Sequence, residues 1–209
     1  MRNHLLRTTP FLLLGGSLLS LGCGMEETPA ASAQAFGDEP FIHRSELINP
    51  KEVPAFTLTD QNGEVVKSED LAGKVALVGF VYTNCPDICR AITATYLDMQ
   101  DVFAQEVGDD ELELILITTD PARDTPDQAK DYTDAFGGRW SFLTGTEEEL
   151  EAVWSSFHVS VDQHVSAIKS QHTWMVVLVD RDSKLRIRYV GQDVPKDVLS
   201  ADVRAMLNN

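Results

Sequence analysis

The chain is poor in cysteine and in basic residues. Its 209 residues include three cysteines, and 17 lysines and arginines stand against 33 aspartates and glutamates, which gives a formal charge of −16 at pH 7. Three cysteines are too few for a fold built on disulfides. Proteins that bind nucleic acid, and segments that lie on anionic membranes, need an excess of Lys and Arg. The composition therefore disfavours both classes.

Long hydrophobic runs are missing as well. The uncharged apolar run Phe11–Leu21 has eleven residues, whereas a helix that crosses a bilayer needs about 20. Arg2 and Arg7 precede it, and a basic start followed by a short apolar run is typical of a secretory signal. We therefore expect residues 1–22 to be a signal peptide.

The end of this run is Ser20-Leu21-Gly22-Cys23, which resembles a bacterial lipoprotein signal. The resemblance implies cleavage before Cys23 and a lipid on its thiol, so that the exported protein is held at the periplasmic face of a bacterial membrane. An ordinary signal peptide and an uncleaved N-terminal anchor are the alternatives. Residues 23–49 are rich in Ala, Pro, Ser and Glu and are predicted to be a flexible tether. Residues 50–209 are then the folded domain.

Strand-like and helix-like segments alternate within this domain. A continuous apolar run, typical of a central strand covered on both faces, occurs at 75–82 (VALVGFVY), and further buried strands are predicted at 112–118 (LELILIT) and 174–179 (WMVVLV). Before them, Asn62-Gly63 predicts an N-terminal β-hairpin. The alternation predicts an α/β fold with a central sheet flanked by helices. Since working loops follow the carboxyl ends of parallel strands, we expect the loops of Cys85 and Asp120 to be neighbours.

The strongest chemical signal is the pair Cys85 and Cys89. Pro86 suits the first position of a helix, predicted to run to about Val107, so the two cysteines share one helix face. The helix N-terminus favours a thiolate at Cys85. Such a pair suits a soft metal ion or a redox couple, with a structural disulfide or two inert thiols as the alternatives.

A selective metal site needs a further ligand, most plausibly an imidazole. His172 directly precedes the run TWMVVLV and would lie beside the cysteine loop if the two strands are neighbours. We interpret His43 as a solvated residue of the tether, and His158 and His164 as solvated residues of a loop. A secondary metal site is the alternative role of His158 and His164.

Three features, taken in order, resemble the Sco/SenC family: the Cys85-xxx-Cys89 pair, the segment TDPARDTP at 119–126, and His172 before its strand. The resemblance covers about residues 50–207. It implies a thioredoxin-like fold with a mixed sheet, and one Cu(I) or Cu(II) ion bound by Cys85, Cys89 and His172. It also implies a role in assembling the binuclear copper centre of cytochrome c oxidase, with the copper-centre subunit and a copper donor protein as partners.

Ligand chemistry agrees with the assignment, because thiolates select Cu(I) and an added imidazole also holds Cu(II). We expect Asp120 to lie beside the ligands without touching the metal; a cap of a turn or helix is its alternative role. The chain departs from the family pattern at Arg90, where proline is usual, and at Gln171, where many members have aspartate.

A thiol–disulfide oxidoreductase is the main alternative function. Cys85 would then attack a target disulfide and Cys89 would resolve the mixed disulfide. Dedicated reductases of this fold typically carry CxxC and a cis-proline, whereas this chain has CxxxC and His172-Thr173. A metallochaperone is therefore favoured over an enzyme. A redox or copper sensor is a third hypothesis, and it requires a partner that the sequence does not reveal.

Overall fold

The computed structural model describes residues 42–85, 89–162, 171–172, 174–191 and 194–209. At Cys89 and His172 this description covers the backbone, and their side chains lie outside it. The expected signal peptide, Cys23 and His164 also lie outside the described residues.

A six-stranded mixed sheet forms the centre of the described domain, and two pairs of short strands lie outside it. The strands of the described residues are β1 (Ile42–Glu52), β2 (Thr57–Thr59), β3 (Val65–Lys67), β4 (Val75–Val81), β5 (Leu112–Thr118), β6 (Ser141–Leu143), β7 (Val161–Asp162), β8 (Gln171–His172), β9 (Met175–Val179) and β10 (Lys184–Gly191). The central sheet has the strand order β1-β10-β9-β4-β5-β6, and β2-β3 and β7-β8 are the separate pairs. β4, β5 and β6 run parallel, while β9, β10 and β1 pair antiparallel with their neighbours. The predicted α/β class is confirmed.

Helices cover both faces of this sheet. They are a 3-10 turn (Ser68–Leu71), α1 (Cys89–Val102), α2 (Ala104–Gly108), α3 (Pro126–Phe136), α4 (Glu147–Phe157) and α5 (Lys196–Leu207). Leu77 and Val81 of β4 pack in the layer that contains α1 and α5, and Val78 and Phe80 pack in the layer that contains α4. All seven residues of β4 are buried, as its unbroken apolar run predicts.

The N-terminal hairpin and the starts of two helices are formed by contacts between neighbouring residues. β2 and β3 form the predicted hairpin, with Gly63 in the left-handed region at φ 83°. Thr125 caps α3 by accepting a hydrogen bond from the backbone N of Gln128 at 3.3 Å. At the start of α4, Thr146 and Glu149 form a reciprocal capping box.

The expected tether boundary at residue 49 is wrong, because residues 42–49 belong to the edge strand β1. Their backbone pairs antiparallel with β10. Arg44 anchors the strand through two hydrogen bonds of 2.7 Å, from its Nε and Nη2 to the carboxylate of Asp202 on α5. A polar segment can pair as an edge strand because one of its faces stays in solvent. Composition alone therefore predicts a flexible linker for this segment, although it is a strand.

The single helix predicted to run to Val107 is also wrong. α1 ends at Val102, and α2 begins at Ala104. Between them, Phe103 adopts φ −115° and ψ 39°, and its side chain is buried in the core. Burial of this ring offsets the local break in helical geometry.

A close contact between a strand and a helix crosses the centre of the core. The buried hydroxyl of Tyr96 on α1 lies 2.9 Å from the carbonyl oxygens of both Leu77 and Ile115, and donates to this pair on neighbouring strands. A Cβ added at Gly79 would lie 2.8 Å from the same hydroxyl oxygen. Only glycine at position 79 allows this approach.

We expect Gly79→Ala to lower the free energy of unfolding by about 1–3 kcal/mol, since overpacking forces the strand and the tyrosine apart. Urea denaturation of the full chain measures the change. Gly108→Ala is the matched control, because a Cβ there meets no heavy atom within 4 Å. Equal effects of the two substitutions would contradict the packing argument.

Candidate metal centre

Cys85 lies in the turn that follows the carboxyl end of β4. Its backbone N donates to the carbonyl oxygen of Tyr82 at 3.3 Å, which turns the chain as it leaves the strand. The residue is half-buried and packs against the core layer that contains Tyr82. A partly exposed position is typical of cysteines that take part in metal exchange or disulfide exchange.

The loop after β5 lies beside this turn, as predicted. Val81 at the end of β4 pairs with Thr118 at the end of β5, so both strands deliver their loops to one edge of the sheet. The backbone N of Thr119 donates to the carbonyl oxygen of Val81 at 2.8 Å. The two segments that carry Cys85 and Asp120 are therefore held together by the sheet itself.

A buried carboxylate joins the two loops directly. Asp124 has no exposed surface and accepts hydrogen bonds from Thr83 and Thr118. Its oxygens lie 2.5 Å from Thr83 Oγ1, 3.1 Å from Thr83 N and 2.6 Å from Thr118 Oγ1. Thr83 stands two residues before Cys85, so Asp124 fixes the backbone on which the thiol sits.

Burial raises the pKa of Asp124 above its ordinary range, because the charged carboxylate has lost its hydration. The hydrogen bonds from Thr118 and Thr83 act in the opposite direction and do not fully offset the burial. The carboxylate is held in place by these donors at an electrostatic cost.

Asp120 makes the contacts of a turn residue. Its carboxylate pairs with Arg123, whose Nε lies 2.5 Å from Oδ2, and its backbone N donates to Thr118 Oγ1 at 2.9 Å. The hydrogen bond to Asp120 raises the pKa of Arg123. Asp120 thus shapes the loop, which agrees with the alternative role considered for it, while Asp124 links the loops. The segment TDPARDTP contains both residues, and the local pattern could not say that Asp124 is the one with no exposed surface.

The backbone brings the segment of His172 towards the same edge of the sheet. β9 runs antiparallel to β4, with Val176 opposite Gly79, so the chain approaches the start of β9 where β4 ends. His172 lies just before this point in β8, where it pairs with Val161 of β7. Among the side chains that the structure describes, there is no cluster of three His, Cys, Asp or Glu residues. The set of Cys85, Cys89 and His172 therefore stays a prediction.

The other histidines occupy different parts of the fold. His43 is exposed on the edge strand β1. His158 is the exposed residue that follows α4, and it caps the helix in the left-handed conformation with φ 59°. No helix within the described ranges is long and apolar enough to span a membrane.

We expect Asp124→Asn to change how stability depends on pH. Because the folded-state pKa of Asp124 is raised, the folded protein holds this proton more tightly than the unfolded chain does. Its free energy of unfolding therefore falls as pH rises from the ordinary value of 3.8 through the raised pKa. Asparagine does not titrate, so the variant should gain on the order of 1 kcal/mol relative to the wild type across this window.

Urea denaturation between about pH 4 and about pH 7 measures this difference. Asp131→Asn, an exposed position on the same helix α3, is the matched control and should run parallel to the wild type. An Asp124→Asn curve that also runs parallel would contradict the account.

The chain is similar to known proteins over most of the described domain. The family model SCO1/SenC matches residues 45–208. The SCO1 protein homolog of Bacillus subtilis is 32% identical over 160 residues, which are 74% of this chain and 82% of the relative.

Two solved structures match the fold. Bradyrhizobium japonicum ScoI with copper bound is 29% identical, with a TM-score of 0.61 over 75% of this chain and 99% of the other. BsSco, described as a member of the Sco family of cytochrome c oxidase assembly proteins with a disulfide switch, is 28% identical, with a TM-score of 0.62 over 78% and 96%. The chain has their thioredoxin-like fold, and with its matched family model it belongs to the SCO1/SenC family.

Proposed function

We propose that this protein is a copper chaperone that binds one copper ion through Cys85, Cys89 and His172 and delivers it to the copper-centre subunit of cytochrome c oxidase. The observation that carries the proposal is the antiparallel pairing of β9 with β4. It directs the chain segment of His172 to the sheet edge where Cys85 follows β4. The copper-bound structure of the related Bradyrhizobium japonicum ScoI supports copper as the metal.

The proposed ligands suit a carrier that must both hold and release its cargo. Two thiolates hold Cu(I), and the imidazole completes a site that also accepts Cu(II). Cys85 lies at a half-buried position in a loop, which suits transfer of copper to a thiolate of the acceptor by ligand exchange. The Asp124–Thr83 hydrogen bonds keep the backbone before Cys85 rigid, which lowers the cost of assembling the site.

Copper titration of the reduced full chain tests the ligands. We expect Cys85→Ser and Cys89→Ser to abolish tight binding of either oxidation state. We expect His172→Ala to weaken Cu(II) binding at least about tenfold more than Cu(I) binding, since two thiolates still hold Cu(I). Competition with a chelator of known affinity measures both constants.

The matched controls are Cys23→Ser and His43→Ala, which remove the same types of side chain from residues outside the proposed ligand set and should bind copper as the wild type does. Undiminished Cu(II) affinity in His172→Ala would remove the histidine from the ligand set.

A thiol–disulfide oxidoreductase is the second candidate, and the disulfide switch named for BsSco favours it. The Cys85 thiolate would attack a target disulfide and release one target thiolate. The Cys89 thiolate would then attack the Cys85 sulfur and release the other. The target gains two electrons and two protons, this chain gains a Cys85–Cys89 disulfide, and a dithiol reductant must restore the pair. Absence of copper binding, together with a readily reversible disulfide, would favour this function over the first.

Membrane anchoring through Cys23 is also part of the proposal. The thiol would carry a lipid, and residues 24–41 would connect it to the edge strand β1. In a bacterial host, we expect the wild-type chain to lose residues 1–22 and to gain the mass of the lipid. Cys23→Ser should show neither change, and Cys85→Ser, the matched control, should show both. Mass spectrometry of the detergent-extracted protein measures this. A wild-type chain that keeps residues 1–22 would instead indicate an uncleaved anchor.

A further inference from the structure

The register of β10 breaks on both of its sides at Arg186. Towards β9, the pairing skips from Leu185 to Ile187. Towards β1, Leu185 and Ile187 pair with Lys51 and Glu46, so that the four β1 residues 47–50 face one β10 residue. Bulges of this kind bend a strand and redirect side chains, and they occur frequently beside binding sites.

The bulge changes the face to which β10 directs its side chains. Leu185 packs in the layer of α4, whereas Ile187 and Tyr189 pack in the layer of α1 and α5. Since side chains alternate along a strand, Arg188 returns to the side of α4. There its Nη2 lies 3.5 Å from the carbonyl oxygen of Phe157, at the last turn of α4.

A cavity of about 110 Å³ opens between this bulge and the end of α4. The described residues that line it are Leu47, Asn49, Lys51, Ser156, His158, Leu185 and Arg188. Lys51 and Arg188 are cationic, His158 offers an imidazole N–H donor, and no lining residue within the described ranges carries a carboxylate. In a chain with a formal charge of −16, such a local excess of positive charge is unusual.

Arg188 also has an unused donor. Its Nε is buried and has no hydrogen-bond acceptor among the described residues. A guanidinium stays charged at physiological pH, so an unmet N–H of this group carries a desolvation penalty. The charge of Arg188 is therefore poorly compensated by the described residues, which favours an anion in the cavity that this side chain lines.

We propose that this cavity is an oxyanion site that binds the phosphate group of a ligand. Lys51 from β1, His158 from the end of α4 and Arg188 from β10 approach from three elements, which suits the tetrahedral arrangement of phosphate oxygens. The phosphate is either free or part of a lipid headgroup. The exposed Ile48, with 94% of its surface accessible, lies on the same bulge and would contact the acyl region in the second case. None of these residues is a proposed copper ligand.

Titration of the isotope-labelled full chain with inorganic phosphate, at constant ionic strength, tests the site by NMR. We expect saturable shifts of the amides at 156–158 and 185–188. Lys51→Gln and His158→Asn should each weaken binding at least about fivefold, since each removes a charge-assisted contact. Asparagine is chosen for position 158 because it tolerates the left-handed conformation found there.

Lys67→Gln is the matched control. Lys67 is an exposed lysine beside a second cavity, whose lining includes the carboxylate of Glu69. This substitution should leave phosphate binding unchanged, and all three variants should bind copper as the wild type does. No saturable shift at the cavity, or equal phosphate affinity in Lys51→Gln, His158→Asn and wild type, would overturn the proposal.

A second titration with monomeric dihexanoyl phosphatidylglycerol distinguishes the two sources of phosphate. Shifts at the same amides, weakened by Ile48→Ser while phosphate affinity is kept, would support a lipid headgroup. Binding of inorganic phosphate alone would support a free phosphate ligand.

Discussion

The hydrogen bonds that pair β4 with β5 on one side and with β9 on the other determine where the candidate site forms. β4 is buried along its whole length, and each neighbour contributes a different segment to the same edge. The parallel partner β5 brings the loop of Asp120 and Asp124. The antiparallel partner β9 brings the approach from His172. Segments distant in sequence thus meet because two ladders of backbone hydrogen bonds have opposite directions.

Polar contacts then stiffen the edge that the sheet creates. Asp124 is fully buried and satisfies three donors from Thr83 and Thr118. Burial of a carboxylate costs free energy, and the raised pKa of Asp124 reflects that cost. The same hydrogen bonds hold the backbone before Cys85 against the end of β5. A rigid surrounding of this kind suits a site whose ligands must be positioned before a metal arrives.

Charge is distributed unevenly over the molecule. Acidic residues outnumber basic ones almost two to one, yet the cavity beside the β10 bulge is lined by cationic side chains. The bulge at Arg186 is responsible, because it turns Arg188 towards the end of α4. The same bulge brings β1, the strand that follows the predicted tether, next to the cavity. The proposed copper site and the proposed phosphate site therefore depend on different features of one sheet.

Several features of the fold depend only on residues that are close together in the sequence, and these could be predicted from it. Largely apolar runs identified β4, β5 and β9, since a strand covered on both faces needs apolar side chains at most positions. Thr125 and Thr146 cap the starts of α3 and α4 through contacts within a single turn. The motifs of Cys85 and His172 identified the family.

The other features depend on backbone pairing and burial between segments that are distant in sequence. Local sequence pattern carries little information about such contacts. Residues 42–49 look like a linker, and only β10 makes them a strand. Phe103 looks helical, and only the core around it breaks the helix. Asp120 and Asp124 look equivalent, and only the fold buries the second one fully beneath Thr83. Arg188 stands in an alternating strand, and only a bulge in the backbone pairing turns it towards α4.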